Sequence, residues 1–254
     1  MAADAPLPGA DIDLIYLDDA LIVLNKPSGL LSVPGRGADK QDCLSTRVQQ
    51  HYPDALVVHR LDMATSGLVV MARGAPVQRA LNAAFANRLV HKRYLAVVAG
   101  SPAHDGTLGG EPHNPWQTID LPIIVDWPNR PLRVIDAQRG QPSETRWRRF
   151  ADAPSCTHPN CTVLELEPVT GRSHQLRVHL QALGHPIVGD TLYAPPGIAA
   201  MAPRLLLHAC ALALAHPVTE EPMQWHCPAP FFPGAFSTLC WQHSPRMGAR
   251  PKIA

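Results

Sequence analysis

The sequence predicts an α+β fold, with a mixed, mainly antiparallel β-sheet core and flanking helices and loops. Short apolar runs of strand length recur along the chain, separated by Pro, Gly, Asn and Asp, whereas few segments show the period of a helix. The hydrophobic fraction of 46% and the charged fraction of 17% are those of a globular protein that buries a core. We therefore expect one domain over residues 12–235, a flexible leader over 1–11, and a C-terminal tail over 236–254 that is disordered at its end.

The first half of the chain predicts strands joined by tight turns, with two helices among them. Helical spacing of the apolar residues from Val77 through Leu81 to Phe85 predicts a helix over 76–89. A shorter helix is predicted at 43–51, before a proline. Apolar runs predict strands at 14–17, 21–24, 56–58, 67–71 and 94–98.

The second half predicts a loop rich in Gly and Pro over 101–118, one amphipathic helix and further strands. The helix, over 173–183, has Leu176 and Leu180 on one face and Ser173 as its N-cap. Strands are predicted at 121–125, 145–150, 162–167, 205–214 and 223–227. Because strands outnumber helices in this order, a mainly antiparallel sheet is expected.

Basic residues cluster along the chain although its net charge is only +1. Such clusters can bind the phosphates of a nucleic acid, but a solvated protein face has the same composition. The sequence alone leaves both interpretations open. The clusters comprise Arg88, His91, Lys92 and Arg93 in one group, and Arg130, Arg133, Arg139, Arg146, Arg148 and Arg149 in the other.

The sequence predicts neither a metal site nor a membrane segment. Cys156, His158 and Cys161 could contribute metal ligands, but a second ligand pair at zinc-finger spacing is missing, and a polar hairpin tip is the alternative. No apolar run approaches the roughly 20 residues that a membrane span needs, and no signal peptide is expected. We therefore expect a cytoplasmic protein whose six cysteines are reduced thiols.

Asp62 lies between a predicted strand and a turn containing Gly67, with Arg60 two residues before it. A carboxylate held there by the backbone and kept ionised by a guanidinium could act as a nucleophile or a base. The alternative is an aspartate that caps its own turn through its side chain. Spacing does not decide between these two interpretations.

Two further groups of residues could carry chemistry. Arg172 stands at the start of the predicted helix over 173–183, from which it could reach a carboxylate or a phosphate. Tyr94, after Lys92 and Arg93, could stack on a base, although a tyrosine at the edge of a core is the commoner case. The spacing of His174 and His179 does not fit a zinc-protease motif, and a polar helix face is the alternative interpretation of both.

Taken together, these motifs resemble the RluA family of pseudouridine synthases, in the family's order and over nearly all of residues 14–230. The motifs are Asn25-Lys-Pro-Ser-Gly-Leu30, His59-Arg-Leu-Asp62 with Thr65-Ser-Gly67, Lys92-Arg-Tyr94, and Thr170-Gly-Arg-Ser-His-Gln175 with Arg177 and His179. Three longer stretches, at 29–35, 121–131 and 203–209, are similar to a dual-specificity member of that family. That member modifies uridine 32 in the tRNA anticodon loop and uridine 746 of 23S ribosomal RNA.

The resemblance implies the pseudouridine synthase fold and isomerisation of uridine by one catalytic domain without cofactor or metal. A monomer is the default expectation, because the sequence does not indicate an oligomeric state. Asp62 corresponds to the catalytic aspartate, which either attacks or deprotonates the ribose, and Tyr94 to the tyrosine that packs on the base and is a candidate for removing the C5 proton. Arg172 corresponds to the arginine that pairs with the aspartate. The residues expected to bind RNA are Arg60, Thr65, Lys92, Arg93, Arg130, His174 and Arg177.

Three segments depart from the family pattern, at 109–118, 156–161 and after about residue 235. If they lie beside the RNA, the choice between tRNA and ribosomal RNA could differ. Two other functions remain to be weighed: an inactive RNA-binding protein of this fold, and an unrelated hydrolase that uses Asp62 with a histidine. The presence of Asp62, Tyr94 and Arg172 argues against the first, and the lack of a hydrolase motif argues against the second.

Overall fold

The computed structural model describes residues 12–103, 116–150 and 160–232, and a ten-stranded β-sheet forms its centre. The strands of this sheet and of a separate two-stranded sheet alternate with few helices, so the predicted α+β class is confirmed. In chain order, the strands are β1 Asp13–Leu17, β2 Leu21–Lys26, β3 Ala55–Val57, β4 Ser66–Arg73, β5 His91–Ala99, β6 Gln117–Asp120, β7 Ile123–Val125, β8 Arg133–Ile135, β9 Glu144–Arg149, β10 Cys161–Pro168, β11 Leu207–Ala215 and β12 Pro222–His226.

The sheet runs in the order β1-β2-β4-β11-β5-β10-β9-β6, with β3 also paired to β4 and β12 to β11. All of its strand pairs are antiparallel except one: β4 and β11 are parallel, with Ser66 opposite His208 and Gly67 opposite Ala209. β7 and β8 form the second sheet, a hairpin. The parallel pair brings β11, from the end of the chain, next to the loop that precedes β4.

Among the described residues, four α-helices accompany the sheet, α1 Leu44–His51, α2 Ala75–Ala86, α3 Gln175–Ala182 and the single turn α4 Pro196–Ala199, together with a short 3-10 helix at Ala38–Lys40. Apolar side chains pack on both faces of the sheet, because successive residues of a strand point to opposite sides. Leu44, Tyr94 and Leu180 belong to the core on one face, and Leu81 of α2 belongs to the core on the other. This burial on both faces accounts for the nearly continuous apolar runs of the central strands β4, β5 and β11.

Two local predictions are wrong. The strand predicted at 121–125 is confined to β7, Ile123–Val125, while Leu121 and Pro122 lie outside any strand, because Pro122 has no N–H to donate to a ladder. The predicted N-cap Ser173 is replaced by His174, which has a left-handed backbone with φ of 58°. The helix therefore begins two residues later than predicted.

Several predictions lie outside the described residues and remain predictions. They are the leader over 1–11, the tail over 236–254, most of the departure at 109–118, and Cys156 with His158 in the possible metal segment. Cys161 is described and begins β10.

Gly67 allows the close approach of β4 to β11 that the turn after Asp62 requires. Its φ is +115°, and a Cβ atom at this position would lie 2.3 Å from the carbonyl oxygen of Ala209. We expect Gly67→Ala to lower the free energy of unfolding by about 3 kcal/mol, because backbone strain adds to the clash. Gly197→Ala is the matched control, since its Cβ would meet open space, and it should change stability by less than about 1 kcal/mol. Urea unfolding of the two variants tests this prediction, and equal stabilities would contradict it.

Candidate active site

A cavity of about 540 Å³ opens where the loop between β3 and β4 faces β5 and the start of α3. Its volume lies in the range of small-molecule pockets. Eight of the predicted site residues line it: Arg60, Asp62, Thr65, Lys92, Tyr94, Arg172, His174 and Arg177. Residues from three separate motifs of the sequence are thus brought to one cavity.

The Asp62 loop, defined as residues 59–65, is anchored by the buried ammonium group of Lys26. Its Nζ donates to the carbonyl oxygens of Pro27 at 2.8 Å, Leu30 at 2.7 Å and Met63 at 3.2 Å. Burial lowers the pKa of Lys26 to about 8, and the charge of Asp62 partly opposes this shift. The three carbonyl oxygens replace the water that the ammonium group loses on burial, so Lys26 fixes the backbone next to Asp62.

Four more hydrogen bonds join the Asn25–Leu30 motif and the nearby Ser32 to the same loop. Ser28 Oγ donates to the carbonyl of Ala64 at 2.7 Å, and Gly29 N donates to that of Met63 at 2.8 Å. Ser32 Oγ donates to the carbonyl of Leu61 at 2.7 Å and accepts from its N–H at 3.1 Å. Sequence reasoning identified the motif without a role for it, and the structure shows that it supports the Asp62 loop.

Asp62 is half-buried, and its carboxylate faces two groups of α3 and its N-terminus. Arg177 Nη1 lies 3.6 Å from Asp62 Oδ2, and His174 Nε2 lies 3.9 Å from the same oxygen. The backbone carbonyl of Asp62 accepts from Thr65 N at 3.1 Å, which closes the turn. The carboxylate therefore lies beside a permanent cation at the edge of the cavity.

Arg177 is itself held by Asp190, a residue that the sequence analysis did not identify. Its Nε and Nη2 donate to the two carboxylate oxygens of Asp190 at 2.8 and 2.7 Å, and both side chains are almost fully buried. Burial alone lowers the pKa of Arg177, but the hydrogen bonds and charge of Asp190, with the charge of Asp62, raise it overall. The sequence signal that could have indicated Asp190 is an acid directly after Gly189, a glycine with positive φ.

His174 is oriented by Tyr193. The two rings meet edge to face, and His174 Nδ1 lies 2.6 Å from the hydroxyl of Tyr193, which accepts from Arg133 N at 2.9 Å. Burial lowers the pKa of His174, against the opposing effect of Asp62, so the ring is neutral at neutral pH. A ring proton on Nε2 then faces the carboxylate of Asp62, whereas a lone pair there would be repelled by it. We therefore assign the proton to Nε2, with the Tyr193 hydroxyl donating to Nδ1.

Tyr94 lies in the wall of the cavity and is 8% exposed. Burial raises the pKa of its hydroxyl, and the charge of Asp62 raises it further. The phenol is therefore protonated at neutral pH, which makes it a poor proton acceptor in the free protein.

The structure corrects the assignment of Arg172. Within the described ranges, the arginine beside Asp62 is Arg177, while Arg172 is exposed and donates from Nε to the carbonyl of Pro142 at 3.3 Å. The physical reason is the direction of the helix: Arg172 precedes α3 in the turn, whereas Arg177 projects from inside α3 toward the Asp62 loop. The turn is fixed by Gln175, whose Oε1 accepts from Arg172 N at 3.0 Å.

Three of the residues predicted to bind RNA, Arg60, Lys92 and Thr65, line the cavity. Arg60 is exposed and donates from Nη2 to Ser173 Oγ at 3.1 Å. Lys92 lies 5.9 Å from the ring centre of Phe85, and burial lowers its pKa. Thr65 is buried in the wall.

Two other residues predicted to bind RNA lie elsewhere. Arg93 points to the opposite side of β5 from Tyr94, where it forms ion pairs with Glu165 and Glu167. Arg130 stacks on Trp127, with 4.5 Å between the guanidinium carbon and the ring centre, on the loop between β7 and β8. Neither of them lines the cavity around Asp62, so their direct part in this site is not supported.

The arginine-rich stretch is mostly engaged within the protein. Arg148 pairs with the buried Glu165 at 2.6 Å, Arg139 with Asp136 at 2.7 Å, and Arg149 donates to Ser101 Oγ at 2.8 Å. These three arginines form separate ion pairs and hydrogen bonds within the protein, and contact of the stretch with RNA phosphates stays a prediction.

The polar residues of α3 do not form a solvated face. His179 is fully buried and lies between Thr145 Oγ1 and the carbonyl of Leu121, each at 2.9 Å. Arg177 is 4% exposed. The interpretation of these residues as a polar helix surface is wrong, because both side chains are satisfied by buried partners.

Within residues 12–103, 116–150 and 160–232, no group of three His, Cys, Asp or Glu side chains is arranged to hold a metal ion. Over the same ranges, no helix is long and apolar enough to cross a membrane.

The cavity brings together an aspartate, an arginine, a tyrosine and further cations on a mixed sheet, and the known proteins that the chain matches identify it as an RNA-modifying enzyme. The chain belongs to the RNA pseudouridylate synthase family, whose pattern it matches over residues 20–182, and its activity is the isomerisation of uridine in RNA. It is 46% identical over 218 residues to the dual-specificity RNA pseudouridine synthase RluA of Escherichia coli strain K12, covering 86% of this chain and 93% of that protein.

Two further comparisons agree with this assignment. The RluA protein of Vibrio parahaemolyticus is 46% identical over 223 residues, covering 88% of this chain and 85% of the relative. The solved structure of human RNA pseudouridylate synthase domain containing 1 is 26% identical with a TM-score of 0.65, covering 91% of this chain and 88% of that one. The resemblance to the RluA family and the predicted fold are therefore confirmed.

Proposed function

We propose that Asp62 is the catalytic carboxylate with which this enzyme converts uridine to pseudouridine. The observation that supports this role is its position at the cavity, 3.6 Å from the guanidinium group of Arg177 and on a loop fixed by Lys26. A cation this close favours the ionised form, and an ionised carboxylate can act as nucleophile or as base. Arg177 takes the role that the sequence analysis gave to Arg172.

The reaction is an isomerisation and needs no co-reactant. The bond between N1 and C1′ breaks, the uracil rotates, and a bond between C5 and C1′ forms, after which C5 loses its proton and N1 carries one. Asp62 either attacks C1′ or removes a proton from the ribose, and both routes use the same ionised carboxylate. The target uridine must leave its stack to reach the cavity, at a cost of a few kcal/mol.

We assign Tyr94 to packing against the uracil ring rather than to removing the C5 proton. Its position in the cavity wall suits contact with a base, and the raised pKa of its hydroxyl disfavours a role as proton acceptor. Arg60 and Lys92, at the cavity, and Arg172, at its exposed edge, are proposed to contact the RNA backbone.

We propose that the substrates are a tRNA anticodon loop, at uridine 32, and 23S ribosomal RNA, at uridine 746. The names of the relatives, which describe dual-specificity enzymes, and the coverage of 86% of this chain support this proposal. A loop uridine is also the cheaper target, since it is less stacked than one in a helix. We further propose that the enzyme is cytoplasmic and acts as a monomer.

Release of tritium from RNA labelled at C5 of uridine tests these substrates. We expect release from both an anticodon stem-loop with a uridine at position 32 and a 23S fragment that contains position 746. The same RNAs with cytidine at the target position are the control and should release nothing above background. Release from only one of the two RNAs would contradict dual specificity, and release from neither would refute both proposed substrates.

A further inference from the structure

The turn over residues 189–193 lies behind α3 and contacts both groups that face Asp62. Asp190 accepts two hydrogen bonds from Arg177, at 2.7 and 2.8 Å. Tyr193 makes a hydrogen bond of 2.6 Å to His174. This short turn is thus connected to the carboxylate of Asp62 by two routes, one through Arg177 and one through His174, although neither Asp190 nor Tyr193 contacts Asp62 itself.

The turn is built rigidly around Asp190. Its Oδ1 accepts from Leu192 N at 3.0 Å and from Tyr193 N at 3.2 Å, in addition to Arg177, and the side chain is almost wholly buried. Gly189 cannot carry a side chain, because a Cβ there would lie 1.8 Å from the carbonyl oxygen of Arg204. A carboxylate with this many donors has a single orientation, and it imposes one on the guanidinium group that it binds.

Both routes end on the same oxygen of the catalytic residue. Arg177 Nη1 and His174 Nε2 approach Asp62 Oδ2, at 3.6 and 3.9 Å. These distances exceed that of a hydrogen bond, and contacts of this kind can shorten when substrate binds. A carboxylate held through Oδ2 keeps its other oxygen, Oδ1, for reaction.

We propose that Asp190 and Tyr193 are positioning residues that orient Asp62 Oδ2, Asp190 through Arg177 and Tyr193 through His174. This inference rests on the proposed role of Asp62. Catalytic groups must be held within about 0.5 Å of their productive position, and residues behind them supply that precision. The pair therefore acts on turnover and not on RNA affinity, since neither residue lines the cavity.

Asp190→Asn and Tyr193→Phe test the inference, because each substitution keeps the shape of the side chain, while the first removes the charge and one of the two acceptor oxygens and the second removes the hydroxyl group. We expect kcat to fall about 30-fold for Asp190→Asn and about tenfold for Tyr193→Phe. The KM, and the Kd for the same RNA, should change by less than about twofold. If Asp190→Asn does not fold, Tyr193→Phe carries the test alone.

The turn after β1 offers matched controls far along the sheet. Asp18 also accepts from two backbone N–H groups, those of Ala20 and Leu21, and it accepts from Tyr16 and His216. Asp18→Asn and Tyr16→Phe should lower thermal stability and leave kcat unchanged. An equal loss of kcat in these controls would mean that any weakened turn lowers turnover, and it would overturn the proposal.

Double variants separate positioning from a general structural role. In an Arg177→Lys background, Asp190→Asn should lower kcat by less than about twofold, and Tyr193→Phe should behave likewise in a His174→Ala background. If kcat fell in these backgrounds as much as in the wild-type background, Asp190 would not act through Arg177, nor Tyr193 through His174, and the proposal would be overturned.

If the wild-type enzyme released no tritium from either RNA, the proposed substrates would fail, and crystal structures of the variants would decide the inference. If the side chains of Arg177 and His174 kept their positions beside Asp62 in these structures, the positioning role of Asp190 and Tyr193 would be refuted.

Discussion

Replacing Asp62 by Asn is expected to reduce kcat by a factor on the order of 10⁴ while the Kd for RNA changes by less than about threefold. Asparagine keeps the size of the side chain but has neither the charge of a nucleophile nor the basicity of a carboxylate. RNA binding depends mainly on cations that contact phosphates, and removing one negative charge from the cavity does not weaken those contacts. Single-turnover release of tritium from C5-labelled RNA measures the first quantity, and a filter-binding titration measures the second.

Asp54→Asn is a matched control for this experiment. Asp54 lies in the turn before β3 and pairs with an arginine, Arg73, at 3.1 Å, but it does not line the cavity. Its substitution should leave kcat within about twofold of wild type, because surface ion pairs contribute little. Turnover by Asp62→Asn at a rate near that of wild type would show that another group carries out the reaction.

Much of the fold could be predicted from the sequence because the local signals agree with the tertiary structure. The runs at 21–24, 67–71 and 94–98 lie within β2, β4 and β5, where burial on both faces requires continuous apolar residues. The order of the strands in the sheet could not be predicted in this way. The parallel pairing of β4 with β11 joins residues about 140 positions apart, and no local pattern encodes it.

The motif around Asp62 is visible in the sequence because a backbone turn positions that residue, whereas the buried partner that positions Arg177 is not visible there. Asp62 stands out in the sequence because a predicted strand ends before it and Gly67, a glycine that permits close packing, follows it. Arg177 was expected to bind RNA, yet it is buried, and its two hydrogen bonds to Asp190 make that burial favourable. A partner 13 positions away in sequence, across a turn, leaves no periodic signal.

The two arginines at the start of α3 should respond differently to substitution, and the difference tests the corrected assignment. Arg177→Lys keeps a positive charge but cannot donate to both oxygens of Asp190 while facing Asp62, so we expect kcat to fall by a factor on the order of 10² with little change in KM. Arg172→Ala removes an exposed cation from the edge of the cavity, so we expect KM to rise about threefold to tenfold with kcat nearly unchanged.

Steady-state kinetics with the C5-labelled anticodon stem-loop separates these effects, and thermal unfolding shows whether Arg177→Lys remains folded at the assay temperature. A salt titration adds an independent measurement, because a lost phosphate contact reduces the slope of log Kd against log salt concentration by about one for Arg172→Ala and by none for Arg177→Lys. If Arg172→Ala lowered kcat as strongly as Arg177→Lys does, the free protein would not show the arrangement that reacts. Arg172 would then have to turn toward Asp62 when RNA binds.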